Sequence, residues 1–411
     1  MDILIEEFKG GYWAAALKDG RIEGIEIDPP EEQIRWGDVY FGRVRRIDKA
    51  SDAAIIEIDK DIFGYLNAAD VYLRDEKREI YKISGPIGKS LETGAKVIVQ
   101  AKQAAMDVGP EGLEAGLENK YARLSMDIAI QGRYMIFTPF EAQNRISQRI
   151  RQKKLREQLV EMLDDMTGCQ GCILRASALN TQTDILKAES DQLNNKWDRI
   201  EDQASGSEKP RLLASGPNAV ERLLCDMAQE TIDRVSVVTM DHLKDVQDWC
   251  EIHAPDLVTK IQPVEIPMAQ TDLGLFEYLE IIGQIEALFH PYCILEDGGS
   301  IIIQETVALT AIDVNRGSDK QGNLAINVKA AREIARQIRL RNIGGIITCD
   351  FLKMNSDKDR RALKKTLQDL FEKDPCTVQF HGYTPLGLVE LTRQRRAPSL
   401  QNRIDHIEFS G

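Results

Sequence analysis

Hydrophobic and polar residues alternate along the first quarter of the chain, and this alternation predicts short β-strands. Three strands are expected before residue 30, with turns at Gly10-Gly11 and Asp19-Gly20, and they cover residues 1–8, 13–17 and 22–27. The alternation continues through residues 38–126. Because several short strands between turns are typical of a closed sheet, this stretch favours a small barrel.

Helical spacing of apolar residues begins further along the chain. Residues 148–165 and most of 217–287 have patterns typical of helices. Between them, the polar stretch 202–210 contains Ser205-Gly206-Ser207 and ends in Pro210, which predicts a loop and a candidate junction.

The clearest pattern follows Gly298-Gly299 and predicts an α/β unit. Residues 300–303 and 307–313 read as a hairpin, 325–341 as a helix, and 346–350 as a further strand. A strand–helix–strand connection is normally parallel, so the strands on either side of the helix are expected to lie side by side.

Each of those two strands ends in an acid, Asp313 and Asp350. Ligands of parallel sheets bind at the carboxyl ends of the strands. Magnesium typically takes one or two protein carboxylates and keeps water and phosphate oxygens at its other positions. The pair therefore predicts a metal site, although this spacing alone fits equally well with each Asp capping a turn.

Charge and composition narrow the class of protein. The chain has 411 residues, 43% of them hydrophobic, which at ~100–200 residues per domain predicts two to four compact units. The 53 Lys+Arg against 66 Asp+Glu give a net charge of -13, which excludes a simple basic protein that coats nucleic acid but not a nuclease.

No apolar run approaches the ~18 residues of a membrane span. With seven scattered cysteines and no signal-like start, a cytoplasmic protein is expected.

The α/β unit and its surroundings resemble the ribonuclease E/G family, and the matching segments are 305–315, 335–347, 349–354 and 387–395. The resemblance implies a multidomain α+β and α/β fold. An RNase-H-like subdomain would be split by an inserted OB-type RNA-binding barrel and a 5′-sensor subdomain, and a DNase-I-like catalytic subdomain would follow. The expected boundaries are 1–37 and 216–286 for the RNase-H-like parts, 38–126 for the barrel, 127–215 for the sensor and 287–411 for the catalytic subdomain.

By this resemblance the chain is expected to be a magnesium-dependent endoribonuclease that cleaves single-stranded AU-rich RNA in RNA processing and decay. Asp313 and Asp350 would bind Mg²⁺, and Asn315 would position a carboxylate or water by hydrogen bonding. His381 is more readily a structural histidine than a general base. The alternatives are a non-catalytic RNA-binding protein of the same fold and a partner-binding scaffold. Neither of these needs two carboxylates near a phosphate.

The barrel strands are also similar to those of the family, in which two aromatic positions stack RNA bases. Tyr65 keeps the ring, whereas Ile55 offers only an apolar surface. Lys120 matches a phosphate-contacting lysine and follows an insertion-like stretch at 104–118. Without the resemblance, Tyr65 reads equally well as an ordinary half-buried strand residue.

Two groups of cations are further candidates for RNA contact. Residues 145–156 hold six cations and no acid, and Arg149 lies in a segment that resembles the family near its sensor. A solvated helix face is the alternative. Four arginines of the predicted helix could flank the metal site or pair with acids: Arg332, Arg336, Arg339 and Arg341.

The family's 5′ sensor pairs an arginine with a threonine to hold a terminal monophosphate, and the matching stretch here is 172–178. Arg175 keeps the guanidinium, but Ala176 occupies the threonine position. Ser177 is next, and on a strand its side chain would point to the opposite face unless a bulge or loop re-aims it. Weak sensing of a 5′ monophosphate is therefore expected.

Cysteine positions bear on assembly and metal content. No cysteine follows Cys376, so neither the zinc-link of longer relatives nor a tetramer held by it is expected, while a homodimer remains possible. Cys169 and Cys172 form a lone CxxC, and zinc would need two further ligands. Two strand-flanking thiols are more plausible than a redox pair or half of a metal site.

Overall fold

The protein has a mixed α+β architecture. The computed structural model describes residues 1–30, 32–74, 80–103, 121–166, 168–264, 273–354 and 356–404. The strands are β1 (Asp2–Phe8), β2 (Gly11–Lys18), β3 (Arg21–Asp28), β4 (Val39–Asp48), β5 (Ala53–Asp59), β6 (Ile62–Asn67), β7 (Tyr72–Arg74), β8 (Ile80–Lys82), β9 (Lys96–Gln103), β10 (Ala122–Ser125), β11 (Ile130–Gln131), β12 (Met135–Phe137), β13 (Arg145–Ile146), β14 (Cys172–Leu174), β15 (Arg211–Ala214), β16 (Arg234–Val237), β17 (Ile261–Pro263), β18 (Tyr292–Ile294), β19 (Ser300–Glu305), β20 (Thr310–Asn315), β21 (Gly345–Asp350), β22 (Val378–Tyr383) and β23 (Val389–Arg393). The α-helices are α1 (Ile87–Ser90), α2 (Lys153–Asp165), α3 (Thr183–Ser205), α4 (Ala219–Asp226), α5 (Met240–His253), α6 (Leu275–Tyr278), α7 (Ile282–Glu286), α8 (Asn323–Leu340), α9 (Asp357–Phe371) and α10 (Leu400–Ile404).

The chain divides into two compact units, and the division falls within β1. The first unit comprises residues 1–5 and 30–264, and the second comprises 6–29 and 265–411. The five-part division expected from the sequence is finer than this and stays a prediction. Among the helices in the described part of the chain, none is long and apolar enough to cross a membrane.

A closed five-stranded barrel forms one part of the first unit. Its strands follow the order β4-β5-β6-β10-β9, and β9 pairs back with β4 to close the ring. Glycines allow the inner side chains to pack: a Cβ on Gly64 would lie 2.3 Å from Leu124 Cδ1, and one on Gly42 would lie 2.6 Å from Ile56 Cγ2. The expected small barrel is thereby confirmed, and its form is consistent with an OB-type fold.

The rest of the first unit is built on two further sheets. A four-stranded sheet of order β11-β12-β14-β13 shares a core with α2 and α3. In the other sheet, residues 2–5 of β1 pair in parallel with β16, and β16 pairs in parallel with β17. Helix α5 contacts both β16 and β17.

The second unit contains the mixed sheet that carries the two acids. Its strand order is β18-β19-β20-β21-β23-β22, with β20 and β21 parallel. Core residues of α8 and α9, such as Ile334 and Leu363, form one cluster with Ile312 and Ile347 of the sheet. The helices therefore cover one face of the sheet.

Several predicted elements are confirmed, and others need correction. The three N-terminal strands and the hairpin–helix–strand unit are present, with limits shifted by a few residues. The loop and junction predicted at 202–210 is wrong at its start, because α3 continues through Ser205 and β15 then pairs with β4. The helical stretch 217–287 also contains β16 and β17.

Candidate catalytic site

Asp313 and Asp350 lie side by side on adjacent parallel strands. The two residues are register partners: Asp350 is the last residue of β21, and Asp313 lies two residues before the end of β20. Their strand neighbours Ile312, Val314 and Cys349 are buried in the core, whereas both aspartates are exposed. Because side chains alternate along a strand, both carboxylates project from the face opposite α8 and α9.

Asn315 completes this group from the same strand. Its side-chain Nδ2 donates a hydrogen bond to Asp313 Oδ2 over 2.8 Å, which fixes the orientation of that carboxylate. The amide oxygen of Asn315 remains available as a metal ligand beside the two aspartates. Carboxylate and amide oxygens are the ligands that hard divalent cations prefer.

A metal held here would depend mainly on these two carboxylates. Within the described ranges, no group of three or more His, Cys, Asp or Glu side chains is placed to hold a metal. Magnesium is commonly bound through only one or two carboxylates, with water and phosphate oxygens completing its octahedron. The donor set therefore fits magnesium better than a cation that needs a full protein cage.

The arginines in α8 and directly after it lie on the side of the sheet opposite the two carboxylates. Arg336 donates to the backbone oxygen of Ile22 over 2.9 Å and pairs with Glu333, and Arg339 donates to Glu23. Arg341 is buried and donates to Gln337 over 2.6 Å. These three arginines therefore pair with other groups of the fold, which was one of the two alternatives expected for them.

His381 lies on β22, where its Nε2 is 2.8 Å from the hydroxyl oxygen of Thr392 on β23. Both residues belong to the same sheet as the aspartates. This cross-strand contact agrees with a structural histidine.

On the barrel, the two residues expected to contact RNA bases are direct cross-strand partners. Ile55 of β5 pairs with Tyr65 of β6, and Tyr65 pairs in turn with Arg123 of β10. Ile55 and Tyr65 are half-buried and alternate with buried neighbours, so they lie on the outer surface. Arg123, which the sequence analysis missed, forms a 2.9 Å ion pair with Asp70. Lys120 lies outside the described residues.

The basic stretch 145–156 is largely exposed. All of its cations except Arg156 are exposed, including Arg149. Arg156 instead donates to the backbone oxygens of Ser147 and Ile150, over 2.7 and 3.1 Å. The exposed cations precede or open α2, where they can face solvent or a polyanion.

Arg175 follows β14 and precedes a short 3-10 helix, Ala176–Asn180. Its Nη2 donates to the side-chain oxygen of Gln131, and its Nε is buried without a hydrogen-bond partner among the described residues. Gln131 was not identified from the sequence, because its position on β11 gives no local signal of this contact.

Of the two alternatives for Ser177, the structure shows the one in which the residue is not on a strand. Strand β14 ends at Leu174, so Ser177 lies in the 3-10 helix and not on a strand. Its hydroxyl donates to the backbone oxygen of Arg133 over 2.8 Å. The hydroxyl proton of Ser177 is therefore not available for donation to a 5′ phosphate.

Cys169 and Cys172 are free thiols, and both are buried. Their mutual hydrogen bond lowers the pKa of Cys169 to about 7, and the same hydrogen bond together with burial raises the pKa of Cys172. Asn144 fixes the loop between them, since its side chain donates to the Cys169 oxygen over 2.5 Å and accepts from the Cys172 amide over 2.9 Å. Two buried, strand-flanking thiols agree with the preferred interpretation.

Comparison with known proteins identifies relatives for nearly the whole chain. The Ribonuclease E/G family matches residues 129–396. Ribonuclease E of Synechocystis sp. is 31% identical over 94% of this chain, which corresponds to 56% of that protein. Ribonuclease G of Salmonella typhimurium is 27% identical over 94% of this chain and 78% of its own length. For ribonuclease E of Haemophilus influenzae the identity is 28%, over 95% of this chain and 41% of that protein. The chain thus spans about half the length of the ribonuclease E relatives.

Proposed function

The chain belongs to the ribonuclease E/G family, and we propose that it is a magnesium-dependent endoribonuclease. The observation that carries the proposal is the register pairing of Asp313 with Asp350, with Asn315 hydrogen-bonded to the first carboxylate. Relatives named ribonuclease E and ribonuclease G support the same reaction class.

The three side chains would have different roles at the site. Asp313 and Asp350 would hold Mg²⁺, and Asn315 would keep the Asp313 carboxylate turned toward it. When bound, the ion would orient the scissile phosphate, neutralise developing charge and lower the pKa of a water. Exposure of both carboxylates leaves room for an RNA backbone to approach.

Single-stranded, AU-rich RNA is the proposed substrate, and RNA processing and decay the proposed role. Tyr65 and Ile55 offer adjacent surfaces on which bases can stack, a mode of binding that any base tolerates. Arg149 and its exposed neighbours would contact phosphates, and Lys120 is proposed for the same role from the resemblance alone. Arg175 would contact a 5′ phosphate, while Ser177 is a weaker candidate.

The five-part division is proposed on the same basis. Residues 38–126 would be the OB-type RNA-binding barrel, 127–215 the 5′ sensor and 287–411 the DNase-I-like catalytic subdomain. The RNase-H-like subdomain would combine 1–37 with 216–286. The barrel and the mixed sheet of the second unit are consistent with this division.

Cleavage of a defined RNA tests the proposal. A short AU-rich single-stranded RNA with a 5′ monophosphate is incubated with the purified protein, with Mg²⁺ or with EDTA. We expect internal cleavage only with Mg²⁺, and a rate lowered by more than about 100-fold in Asp313→Asn or Asp350→Asn. Asp369→Asn is the matched control, because Asp369 is an exposed acid of α9 on the other face of the sheet.

Two results would contradict the proposal. If Asp350→Asn cleaved RNA at the wild-type rate, the metal assignment would be wrong. If the wild-type protein bound the RNA but left it intact at all Mg²⁺ concentrations, the alternative of a non-catalytic RNA-binding protein would replace the enzyme.

A further inference from the structure

A single row of cross-strand partners links the two aspartates to the edge of their sheet. Tyr292 of β18 pairs with Ile302 of β19, Ile302 pairs with Asp313, and Asp313 pairs with Asp350. Neighbouring strands are about 4.8 Å apart, so Tyr292 lies roughly 10 Å from Asp313 along the row. That distance is short enough for neighbouring nucleotides of one strand to reach both positions.

All four residues of the row project from the same face. In each strand, the residues directly before or after the row pack into the core: Cys293, Ile301, Ile303, Ile312, Val314 and Cys349. Cys293 also accepts a hydrogen bond from the buried Arg341, the C-cap residue of α8, over 3.2 Å. Since side chains alternate along strands, Tyr292 and Ile302 share the face of the carboxylates.

The edge of this row is an exposed apolar surface. Tyr292 is 54% exposed and Ile294, two residues along β18, is 74% exposed. Edge strands usually carry charged residues that discourage pairing with other chains. An aromatic residue in register with two exposed carboxylates is unusual for an edge, and it has the chemistry of a base-stacking surface.

We propose that Tyr292 stacks against a base of the RNA strand whose phosphate lies at Asp313 and Asp350, with Ile302 as the apolar floor between them. This inference rests on the proposed endoribonuclease function. Tyr292 is a positioning residue: by holding the neighbouring base, it fixes which phosphate reaches the carboxylates. Stacking on a ring is tolerant of sequence, so the ligand is any unpaired base.

Fluorescence of 2-aminopurine tests stacking without requiring cleavage. A set of short AU-rich RNAs, each with one 2-aminopurine at a different position, is bound to full-length Asp350→Asn. We expect quenching at a position near the cleavage site, relief of that quenching in Tyr292→Ala, and roughly tenfold weaker binding. Tyr292→Phe keeps the ring and should behave like tyrosine. Leu279→Ala, which truncates a 38% exposed side chain directly after α6 of the second unit, should change nothing.

The outcomes separate this inference from the function on which it rests. If the wild-type protein cleaves RNA but Tyr292→Ala alters neither quenching nor kcat/KM, stacking is refuted and the endoribonuclease stands. Tyr292-dependent quenching without any cleavage would refute the enzyme and keep the stacking surface. If no RNA is bound, or if Tyr292→Ala changes only self-association in sedimentation, the apolar edge is not an RNA surface.

Discussion

At the position where the family has a threonine, Ala176 has no hydroxyl with which to hold a 5′ phosphate. The neighbouring Ser177 does not replace it, because its hydroxyl donates to the Arg133 backbone oxygen. Arg175 is left as the charged group, and part of its guanidinium is already held by Gln131. A missing hydrogen bond to a charged group typically costs ~1.5–3 kcal/mol, about one to two decades in affinity.

We therefore expect nearly equal cleavage of matched RNAs that bear a 5′ hydroxyl or a 5′ monophosphate. Ala176→Thr should raise the preference for the monophosphate, because it restores a donor beside Arg175. Asn180→Ala, at the exposed end of the same 3-10 helix, is the control and should leave the preference unchanged. A large monophosphate preference in the wild-type protein that disappears in Arg175→Ala would refute weak sensing while confirming the site.

Glu189 is a second residue whose role follows from its contacts alone. Its carboxylate is fully buried and accepts hydrogen bonds from the backbone N–H groups of Arg133, Tyr134 and Met135, over 2.7, 2.9 and 2.9 Å. A Cβ on Gly132 would lie 2.7 Å from this carboxylate, so the approach requires glycine. Glu189 thus ties α3 to the start of β12.

Replacing Glu189 with Gln should destabilise the first unit by about 3 kcal/mol, because an NH₂ group would face backbone donors that lose their acceptor. A protein with two compact units need not unfold in one step. The measurement is therefore hydrogen exchange of the amides of residues 133–135, which should be faster in Glu189→Gln. Asp191→Asn, on the exposed side of α3, should leave it unchanged. Unchanged exchange in Glu189→Gln would show that these hydrogen bonds contribute little.

Among the secondary-structure elements, the α/β unit was predictable because its signals are local. Apolar strand patterns predicted β19 to β21, and an acid at or near the end of each of two strands indicated a candidate site. The parallel order followed from the helix between them. Register pairing of Asp313 with Asp350 is the detail that only the folded sheet supplies.

Helix α3 was missed for a physical reason. Its buried face includes Leu186, Leu193, Trp197 and Ile200, but Glu189 and Ser190 are equally buried on that face. These polar residues interrupt the apolar stripe. Glu189 accepts from backbone N–H groups at the start of β12 and just before it, far away in sequence, and Ser190 donates to the backbone oxygen of Gly168. The Arg175–Gln131 contact and the β21–β23 pairing were unpredictable in the same way, since distant segments create them.

The pairing of Ile55 with Tyr65 on the barrel surface leads to a prediction about RNA binding. Ile55 is the direct partner of Tyr65, so a ring at position 55 would form an aromatic pair across β5 and β6. We expect Ile55→Phe to strengthen binding of single-stranded RNA roughly five- to tenfold, since stacking contributes ~1–3 kcal/mol per base. Tyr65→Ala should weaken binding by a similar factor, and Tyr65→Phe should not.

Binding is measured by fluorescence anisotropy with the cleavage-deficient Asp350→Asn protein. Ile80→Phe places the same ring at a half-buried position of β8, in a separate two-stranded sheet, and controls for added apolar surface. Equal gains from Ile55→Phe and Ile80→Phe would mean that position 55 is not part of a specific stacking surface.

For the whole molecule, the net charge of -13 opposes approach to RNA. Local density of cations must therefore supply the attraction to phosphates. The exposed stretch that ends with the first turn of α2 is the proposed source of this attraction, since Arg149, Lys153 and Lys154 are all exposed. Each phosphate neutralised on a single strand contributes about -0.7 to the slope of log K against log salt.

We expect the triple variant Arg149→Gln, Lys153→Gln and Lys154→Gln to bind RNA more weakly at low salt and to lose about 2 units of that slope. A matched variant replaces three exposed cations of α9 with glutamine, Lys358, Arg361 and Lys365. Both variants change the net charge equally, so a long-range effect of charge would weaken RNA binding in both. Loss of slope confined to the first variant would place the phosphates on the 145–156 stretch, whereas equal losses would contradict a local site there.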